Sequence, residues 1–312
     1  MTFSTVATFA EPQPSVVDSP SSSVLRLALP KGRMQEGVFK LLEEAGMKVR
    51  LGEREYRPTM QDPGFESKIL KPQNIVEMLH MGSRDLGFAG ADWVAELDGE
   101  LVDLLDTGLD PVRLVAAAPA NIASTILNSA STNGNGRPLI VASEYVRLAN
   151  RWIVEQGLNA QCVRSYGATE AFPPEDADCI IDNTATGSTL KMNGLAIIGE
   201  VMRSSTRLYA NPRTLDDPAK RNRIETFTML LRSVLEARKR VMLELNVSSD
   251  KLESIVQLLP SMREPTISPL YGQHGYAVKA AVLRSTLATL IPELKRGGGT
   301  DIVISSLSQI VA

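Results

Sequence analysis

The feature of the sequence that most constrains its fold is the alternation of short apolar runs with segments of helical periodicity. Val24–Pro30 is an apolar run typical of a buried strand, and apolar residues between positions 38 and 45 follow at the i, i+3, i+4, i+7 spacing of a helix. A second helix is predicted from Pro72, and a strand returns over Asp85–Ala89. Strands and helices that alternate at this spacing predict crossover units and an α/β sheet.

The same alternation continues through the middle of the chain and indicates a second lobe. Further strands are predicted, in chain order, over Leu139–Ala142, Gln161–Arg164, Asp178–Asp182, Val201–Ala210 and Thr226–Arg232. Many two-lobed folds place the last element of the first lobe after the second lobe. We therefore expect a first lobe of residues 24–110 and 211–237 and a second lobe of residues 111–210.

Residues 238–312 follow a different order. Their strands and helices are predicted, in chain order, as a strand over Arg240–Val247, a helix that includes Leu252 to Leu259, strands over Thr266–Tyr271 and Tyr276–Leu283, a helix over Ser285–Lys295 and a strand over Asp301–Ser305. The order β-α-β-β-α-β is that of a ferredoxin-like module. Such modules are common small-molecule sensors, although the fold alone does not identify a ligand.

Charge and composition argue against several classes of function. The formal net charge is −3 at pH 7, so no general attraction to nucleic acid or to an anionic membrane is expected. No apolar run approaches the roughly 18 residues needed to cross a bilayer. Two histidines and two cysteines, Cys162 and Cys179, offer little material for a zinc site or a histidine-based triad. The cysteines indicate small buried side chains in a reducing compartment, here the cytoplasm, where a disulfide is possible but not expected.

Residues 1–23 differ in composition from the rest of the chain. They are rich in Ser, Thr, Pro, Ala and Val and contain no Lys or Arg. A secretory signal needs a basic start and a continuous apolar core, and a transit peptide needs arginines. We therefore expect a disordered polar tail.

The most informative segment for function is Asp178–Leu190, with the sequence DCIIDNTATGSTL. A buried strand ends at Asp182, and a turn of Thr, Gly and Ser leads toward a helical stretch, where backbone amides and the helix dipole favour an anion. Gly187 allows close approach of the backbone, and the neighbouring hydroxyls can donate to phosphate oxygens. A carboxylate accepts two hydrogen bonds at once, which suits the two hydroxyls of a ribose. The segment therefore describes a ribose 5-phosphate site, with a plain strand–helix connection as the alternative.

This segment resembles the phosphoribosyl-pyrophosphate loop of the ATP phosphoribosyltransferases, the first enzymes of histidine biosynthesis. Four more segments resemble parts of that family, in the family's order: Leu27–Gly32 (LALPKG), Asp85–Asp92 (DLGFAGAD), Gly167–Glu170 (GATE) and Glu264–Leu270 (EPTISPL). Five motifs in register over residues 24–312 are far more specific than one. The resemblance implies two α/β lobes like those of a type II periplasmic binding protein, followed by a C-terminal ferredoxin-like regulatory domain.

The resemblance also implies roles for individual residues. The catalytic residues would be Lys31, Glu170 and Asp182. The residues that bind phosphoribosyl pyrophosphate would be Asp178, Asp182, Thr184, Ala185, Thr186, Gly187, Ser188 and Thr189. Those that bind ATP would be Lys31, Gly32, Gly90 and Asp92, and those that bind histidine would be Asn246, Thr266, Ser268 and Ala281. The residues alone leave structural alternatives open. Lys31 would then be a solvated surface lysine, Asp92 and Glu170 would be helix caps, and Asp178 would be a solvent-facing strand terminus.

In the family reaction, N1 of the adenine attacks C1′ of phosphoribosyl pyrophosphate and pyrophosphate leaves. The adenine nitrogen already carries a lone pair, so no activated nucleophile is needed, which fits a chain without a Ser, Cys or His apparatus. Mg²⁺ is the expected cofactor, held mainly by substrate oxygens and water, with no protein ligand assigned. The expected partners are ATP, phosphoribosyl pyrophosphate, histidine as inhibitor, and further copies of the chain, from dimer to hexamer.

Two other classes of protein stay open. A solute-binding protein shares the two-lobed architecture, although the missing signal peptide and the acidic-then-hydroxyl loop argue against it. A catalytically weak regulatory subunit of a larger assembly is the second alternative, and the retained loop argues against it. Release of pyrophosphate on mixing the two substrates distinguishes an enzyme from a solute-binding protein.

Overall fold

The computed structural model describes residues 24–52, 56–126, 137–272 and 274–311. The expected tail of residues 1–23 lies outside this part of the chain. The first strands and helices are β1 (Leu25–Pro30), α1 (Arg33–Glu44), β2 (Val49–Arg50), β3 (Thr59–Met60), β4 (Phe65–Leu70), α2 (Pro72–His80), β5 (Leu86–Gly90), α3 (Ala91–Glu96), β6 (Val102–Pro119), α4 (Ala123–Ile126), β7 (Leu139–Ser143), α5 (Val146–Glu155), β8 (Ala160–Arg164), β9 (Cys179–Thr184), α6 (Ser188–Met192), β10 (Leu195–Ala210) and α7 (Pro218–Lys239). Short 3-10 helices cover Thr169–Ala171 and Pro212–Asp216.

Within these ranges, eight strands form one mixed sheet in the order β4-β1-β5-β10-β6-β9-β7-β8. Three parallel strands lie at each end of the sheet, and the long antiparallel strands β10 and β6 lie between them. The inner parallel strands β1, β5, β7 and β9 are largely buried, because the crossover helices of each half pack against them. The sheet therefore joins two similar halves through one pair of shared strands.

The register of the long strands brings the carboxyl ends of the two halves together. At the end of β5, Gly90 pairs with Thr206 of β10, and at the end of β9, Thr184 pairs with Arg113 of β6. Arg113 in turn pairs with Arg203, three residues from Thr206. Strands from opposite halves thus end against the same middle portion of β6 and β10. The expected lobe boundary at residues 110/111 falls inside the single strand β6, and the division into lobes stays a prediction.

The segment Thr226–Arg232, predicted as a strand, is helical, and this prediction is wrong. It lies inside α7, a helix of 22 residues that packs against the first half of the sheet. Pro218 occupies the first turn of α7, and the side chain of Asp217 accepts the amides of Ala219 and Lys220 at 2.9 and 3.2 Å. The buried residues of α7 that face the sheet recur at helical spacing: Ile224, Phe227, Leu231 and Val234.

The C-terminal region has the expected ferredoxin-like order. Its elements are β11 (Arg240–Val247), α8 (Leu252–Leu258), β12 (Thr266–Pro269), β13 (Tyr276–Leu283), a 3-10 turn over Arg284–Thr286, α9 (Leu287–Arg296) and β14 (Thr300–Ser306). In the described residues the strands pair antiparallel in the order β12-β13-β11-β14. Helices α8 and α9 cover one face with Ile255, Leu290 and Leu294, and the opposite face of the sheet is left uncovered by the part of the chain that the structure describes. The α/β fold with a C-terminal α+β domain is confirmed.

The two cysteines are free, and the sheet keeps them apart. Cys162 of β8 and Cys179 of β9 both pair with Val141 of the intervening strand β7. Two strand spacings separate their Cα atoms by about 9.6 Å, beyond the roughly 7 Å that a disulfide spans. Burial raises the pKa of the Cys162 thiol to about 11 and that of Cys179 to about 12, so both stay protonated at neutral pH. Among the described residues, no helix has the length and apolar character needed to span a membrane.

Candidate active site

A polar cavity of about 280 Å³ lies where the strands of the two halves end. The carboxyl ends of strands at such a switch point are the usual binding place in open α/β sheets. The cavity is lined by Lys31, Arg33, Met34, Pro72, Gly90, Asp92, Trp93, Asp110, Val112, Tyr145, Asn183, Ser204, Ser205 and Thr206. A second cleft of about 420 Å³ shares Trp93 with it and contains Lys71, Glu144 and Arg164.

A larger cavity, about 600 Å³, lies between α7 and the C-terminal residues Ile310 and Val311. Its lining is mainly apolar, and none of the residues assigned to chemistry reaches it. Binding sites combine an apolar wall with a few converging polar groups, a description that fits the smaller cavity better. We therefore place the candidate site between the two halves of the sheet.

Two cations enter this site at the turn after β1. The amide of Lys31 donates to Leu70 O at 2.8 Å, which fixes the turn, and Gly32 then precedes the first residue of α1, Arg33. The Lys31 ammonium donates to the Tyr56 hydroxyl at 2.8 Å and lies 4.7 Å from the centre of that ring. Lys31 and Arg33 line the cavity, whereas Gly32 lines a groove on the other side of α1.

Asp92 is buried and bonded on both carboxylate oxygens. Its Oδ1 accepts the Ser204 hydroxyl at 2.7 Å, and its Oδ2 accepts the Tyr145 hydroxyl at 2.7 Å. Helix α3 begins after Gly90 without a side-chain cap, so Asp92 is not the helix cap that the sequence left open. A Cβ at position 90 would overlap the Asp92 carboxylate, which explains why glycine stands there.

The predicted phosphoribosyl loop connects β9 to α6. Gly187 has φ +81°, a conformation that favours glycine, and its amide donates to Thr184 Oγ1 at 2.9 Å. The hydroxyls of Thr186 and Ser188 lie 3.0 Å apart, and both side chains are exposed, as are Ala185 and Thr189. Because α6 has only five residues, its dipole is small, and an anion here would depend on loop amides and hydroxyls.

Asp182 is largely buried beside two other carboxylates. Burial raises the pKa of Asp182 to about 6; the Asn183 amide, which donates to Oδ1 at 2.7 Å, lowers the pKa, and the charges of Glu170 and Glu144 raise it. Glu170 lies in the 3-10 helix Thr169–Ala171, which precedes β9. Glu170 thus lies near enough to Asp182 for its charge to act on that carboxyl, and the catalytic roles of both residues stay predictions.

Asp178 does not reach this loop, and its expected role in binding phosphoribosyl pyrophosphate is corrected. It precedes β9, and the six residues of that strand place it about 20 Å from Thr184 at a rise of about 3.3 Å per residue. Its carboxylate accepts the amide of Ile140 at 2.7 Å and pairs with Arg137 at 2.9 Å. Asp178 is therefore a strand terminus, the structural alternative that the sequence left open for it.

Several residues of the site were not predicted from the sequence, among them Arg33, Tyr145, Asn183 and Ser204. Tyr145 follows the carboxyl end of β7, a position that the topology rule could have identified. Asn183 donates to the Tyr145 hydroxyl at 2.9 Å and points to the opposite face of β9 from Asp182. Ser204 lies in the middle of a long strand, where no local signal marks it.

The four residues expected to bind histidine share the uncovered face of the C-terminal sheet. Asn246 and Ser268 both pair with Ala277, Thr266 pairs with Lys279, and Ala281 pairs with Met242, so their side chains lie on one face. The amide group of Asn246 also donates to Asp301 Oδ2 at 3.0 Å.

Comparison with known proteins identifies the family. The sequence profile of the ATP phosphoribosyltransferase family matches residues 71–233, and the profile described as HisG, C-terminal domain, matches residues 237–309. The ATP phosphoribosyltransferase of Pelotomaculum thermopropionicum is 37% identical over 92% of this chain and 99% of its own length. That of Desulforudis audaxviator is 35% identical over 92% of this chain and 99% of its own.

A solved structure supports the same conclusion. The ATP phosphoribosyl transferase (HisG:HisZ) complex from Thermotoga maritima aligns with 26% identity and a TM-score of 0.58, over 68% of this chain and 99% of that chain. The chain therefore belongs to the ATP phosphoribosyltransferase family of pentosyltransferase enzymes, in its long form with a C-terminal domain.

Proposed function

We propose that the chain transfers the phosphoribosyl group of phosphoribosyl pyrophosphate to N1 of ATP and releases pyrophosphate, the first step of L-histidine biosynthesis. The observation that carries the proposal is the loop after β9, where Asp182 precedes the hydroxyls of Thr186 and Ser188. Family membership supports the same reaction. The ionised Asp182 would accept the ribose hydroxyls, and the loop would hold the 5-phosphate.

ATP would occupy the cavity on the other side of β9. Lys31 and Arg33 supply positive charge for the phosphates, and the α1 amides add to it. With the two substrates held on opposite sides of Asn183, the adenine N1 would lie toward C1′ of phosphoribosyl pyrophosphate. Such positioning supplies much of the rate enhancement when no activated nucleophile is needed.

Asp182 and Glu170 are suited to a Mg²⁺ ion that arrives with the substrate. The charge of Glu170 raises the pKa of Asp182, and a divalent cation nearby would relieve this repulsion. Within the described residues, no three His, Cys, Asp or Glu side chains group as metal ligands, so substrate oxygens and water would be the main ligands. When bound, the ion would neutralise charge on the departing pyrophosphate.

We also propose that histidine inhibits from the uncovered face of the C-terminal sheet, and that the enzyme works as a cytoplasmic homo-oligomer of two to six chains. The short polar side chains of Asn246, Thr266 and Ser268 lie on this face and suit the ammonium and carboxylate of an amino acid. The face lies in a separate domain from the cavity, so inhibition would be allosteric.

The deciding experiment follows phosphoribosyl-ATP by absorbance with purified protein, ATP, phosphoribosyl pyrophosphate and Mg²⁺, and then repeats the assay with histidine. We expect product and an equal amount of pyrophosphate. A folded protein that binds both substrates without releasing pyrophosphate would instead be a solute-binding protein or a regulatory subunit.

Gly187→Ala is expected to raise KM for phosphoribosyl pyrophosphate while leaving KM for ATP unchanged. A side chain at φ +81° strains the loop by roughly 1–2 kcal/mol and obstructs approach of the phosphate to the backbone. Gly157→Ala is the matched control, because Gly157 has φ +64° in the same half of the sheet but lies after α5. Steady-state kinetics and thermal unfolding of both variants test this; an equal rise in both KM values would indicate general misfolding.

Thr266→Val is expected to raise the histidine concentration for half-inhibition about two- to tenfold and to spare uninhibited turnover. The change keeps the volume but removes one hydroxyl, and one hydrogen bond contributes about 0.5–1.5 kcal/mol. Thr289→Val is the control, because Thr289 is exposed on α9, which covers the other face of the sheet. Competition between histidine and ATP at one site would overturn the allosteric proposal.

A further inference from the structure

The buried hydroxyl of Tyr145 makes one hydrogen bond to each half of the candidate site. It donates to Asp92 Oδ2 at 2.7 Å on the ATP side and accepts from Asn183 Nδ2 at 2.9 Å at the base of the phosphoribosyl loop. Burial, followed by the charge of Asp92, raises the pKa of Tyr145 far above its usual value, so the hydroxyl stays protonated and can donate. The donor and one acceptor lone pair of this hydroxyl are both used.

A ring contact and the capping of the helix that follows fix the position of Tyr145 itself. Its ring stacks on Trp93 with centroids 4.5 Å apart, and it is 1% exposed. The Glu96 carboxylate of α3 accepts the amides of Arg147 and Leu148 at 3.0 Å each, and so caps the first turn of α5 directly after Tyr145. Residues of α3, which lies in the opposite half of the sheet, therefore help to set the position of this hydroxyl, together with Ser143, whose hydroxyl accepts the Tyr145 amide at 2.9 Å.

The Asn183 end of the connection leads directly to the phosphoribosyl loop. The backbone amide of Asn183 donates to Asp182 Oδ1 at 2.7 Å at the carboxyl end of β9. One hydrogen bond from the Asn183 side chain and one from its backbone amide thus connect the Tyr145 hydroxyl to the carboxylate that would accept the ribose hydroxyls.

We propose that Tyr145 is a positioning residue that fixes the phosphoribosyl loop relative to the ATP cavity. The proposal rests on the proposed function and names a further residue for it. Loss of the two hydrogen bonds of the Tyr145 hydroxyl would affect Asp92 and Asn183 differently. Without the hydroxyl, Asp92 keeps the Ser204 hydroxyl on Oδ1, and the Ser204 oxygen still accepts the Asp92 amide at 3.1 Å. Asn183 loses the acceptor of its side-chain amide. Asp92 Oδ2 also loses a donor, but two other bonds still hold Asp92, so the larger loss of order is expected on the phosphoribosyl side.

The test is Tyr145→Phe in the full-length enzyme, measured by kcat/KM for each substrate at saturating concentration of the other. We expect kcat/KM for phosphoribosyl pyrophosphate to fall about ten- to hundredfold and KM for ATP to change less than threefold, the size expected for hydrogen bonds in a charged network. Tyr209→Phe is the matched control: Tyr209 is also buried, lies in β10 outside both cavities, and is expected to keep wild-type kinetics.

A merely structural role would lower the melting temperature without a change selective for one substrate, and that result would overturn the proposal. If Tyr145→Phe does not fold, Asn183→Ala removes the other end of the same bond at a less buried residue and must give the same selective loss. Where Tyr145→Phe folds, the double variant must be no worse than the more severe single one, since both changes remove the Tyr145–Asn183 hydrogen bond. Additive losses would overturn the proposal.

The outcome also separates this inference from the proposed function. If wild-type protein releases pyrophosphate and folded Tyr145→Phe has wild-type kinetics, the enzyme assignment stands and the positioning role is wrong. If the wild-type protein makes no phosphoribosyl-ATP, the reaction itself is wrong, and the role of Tyr145 in it falls too.

Discussion

Asp182→Asn is expected to lower kcat/KM for phosphoribosyl pyrophosphate about ten- to hundredfold and, at pH 7, to stabilise the fold. The amide keeps the shape of the carboxylate but loses its charge and one acceptor for the ribose hydroxyls. Burial, with the nearby charges of Glu170 and Glu144, raises the pKa of Asp182 to about 6, against 3.8 in the unfolded chain. Between these values the folded protein binds more protons than the unfolded one. Stability therefore falls as the pH rises from about 4 to about 6.

At pH 7 the ionised Asp182 opposes folding, and asparagine removes that cost, which is of the order of 1–3 kcal/mol. Urea unfolding of the wild type and Asp182→Asn at pH 5 and pH 7 should show a difference that grows with pH. Wild-type activity should rise with pH through about 6 as Asp182 ionises. The control is Asp176→Asn, an exposed aspartate before β9. Wild-type kinetics in a folded Asp182→Asn protein would remove this residue from the site.

Asp85→Asn is expected to destabilise the first half of the sheet by about 3 kcal/mol. Asp85 is 1% exposed and accepts the Arg26 guanidinium at 2.9 Å, the Lys220 ammonium at 3.1 Å and the Thr214 hydroxyl at 3.2 Å. These contacts tie β1 and the start of α7 to the residue before β5. An amide would leave both cations without their counter-charge.

The Asp85 carboxylate also makes the free energy of unfolding depend on pH at acid pH. Burial would raise the pKa of Asp85, but the hydrogen bonds from the side chain and amide of Arg26 and from Lys220 outweigh it and lower the pKa to about 2. The unfolded chain binds the proton first, so this stabilisation is complete above about pH 4 and is lost as the pH falls toward 2. Urea unfolding at pH 7 and pH 3 tests the prediction, and Asp85→Asn should lose most of this pH dependence.

Glu66→Gln provides the comparison for a surface ion pair. Glu66 is half exposed and pairs with Arg84 at 3.4 Å, so its loss should cost less than about 1 kcal/mol. If Asp85→Asn cost no more than Glu66→Gln, the buried network would not be the tie between these elements.

The local order of strands and helices could be predicted from the sequence because each element carries its own periodicity. The error at Thr226–Arg232 came from a short window of Thr, Phe, Met and Leu that resembles a strand. The longer spacing of Ile224, Phe227, Leu231 and Val234 and the start signal at Asp217 indicate the helix that forms. A wider window would have corrected the prediction without any structure.

Asp178 and Asp182 show where a motif stops being informative. Both belong to one segment, but the extended strand between them carries Asp178 to the far end of β9, where it binds Arg137 and the Ile140 amide. Sequence spacing becomes a distance only after the conformation is known, because a strand extends more than twice as far per residue as a helix.

The sequence by itself determined most of the order of elements and the ferredoxin-like order of the C-terminal domain, because these depend on residues close together in the chain. Tertiary structure decided which distant side chains meet. Asp92 bonds to Ser204 across 112 positions, and Tyr145 meets both Asp92 and Asn183. It also set the pKa of Asp182, since burial and the charges of neighbouring carboxylates arise only when the sheet has assembled.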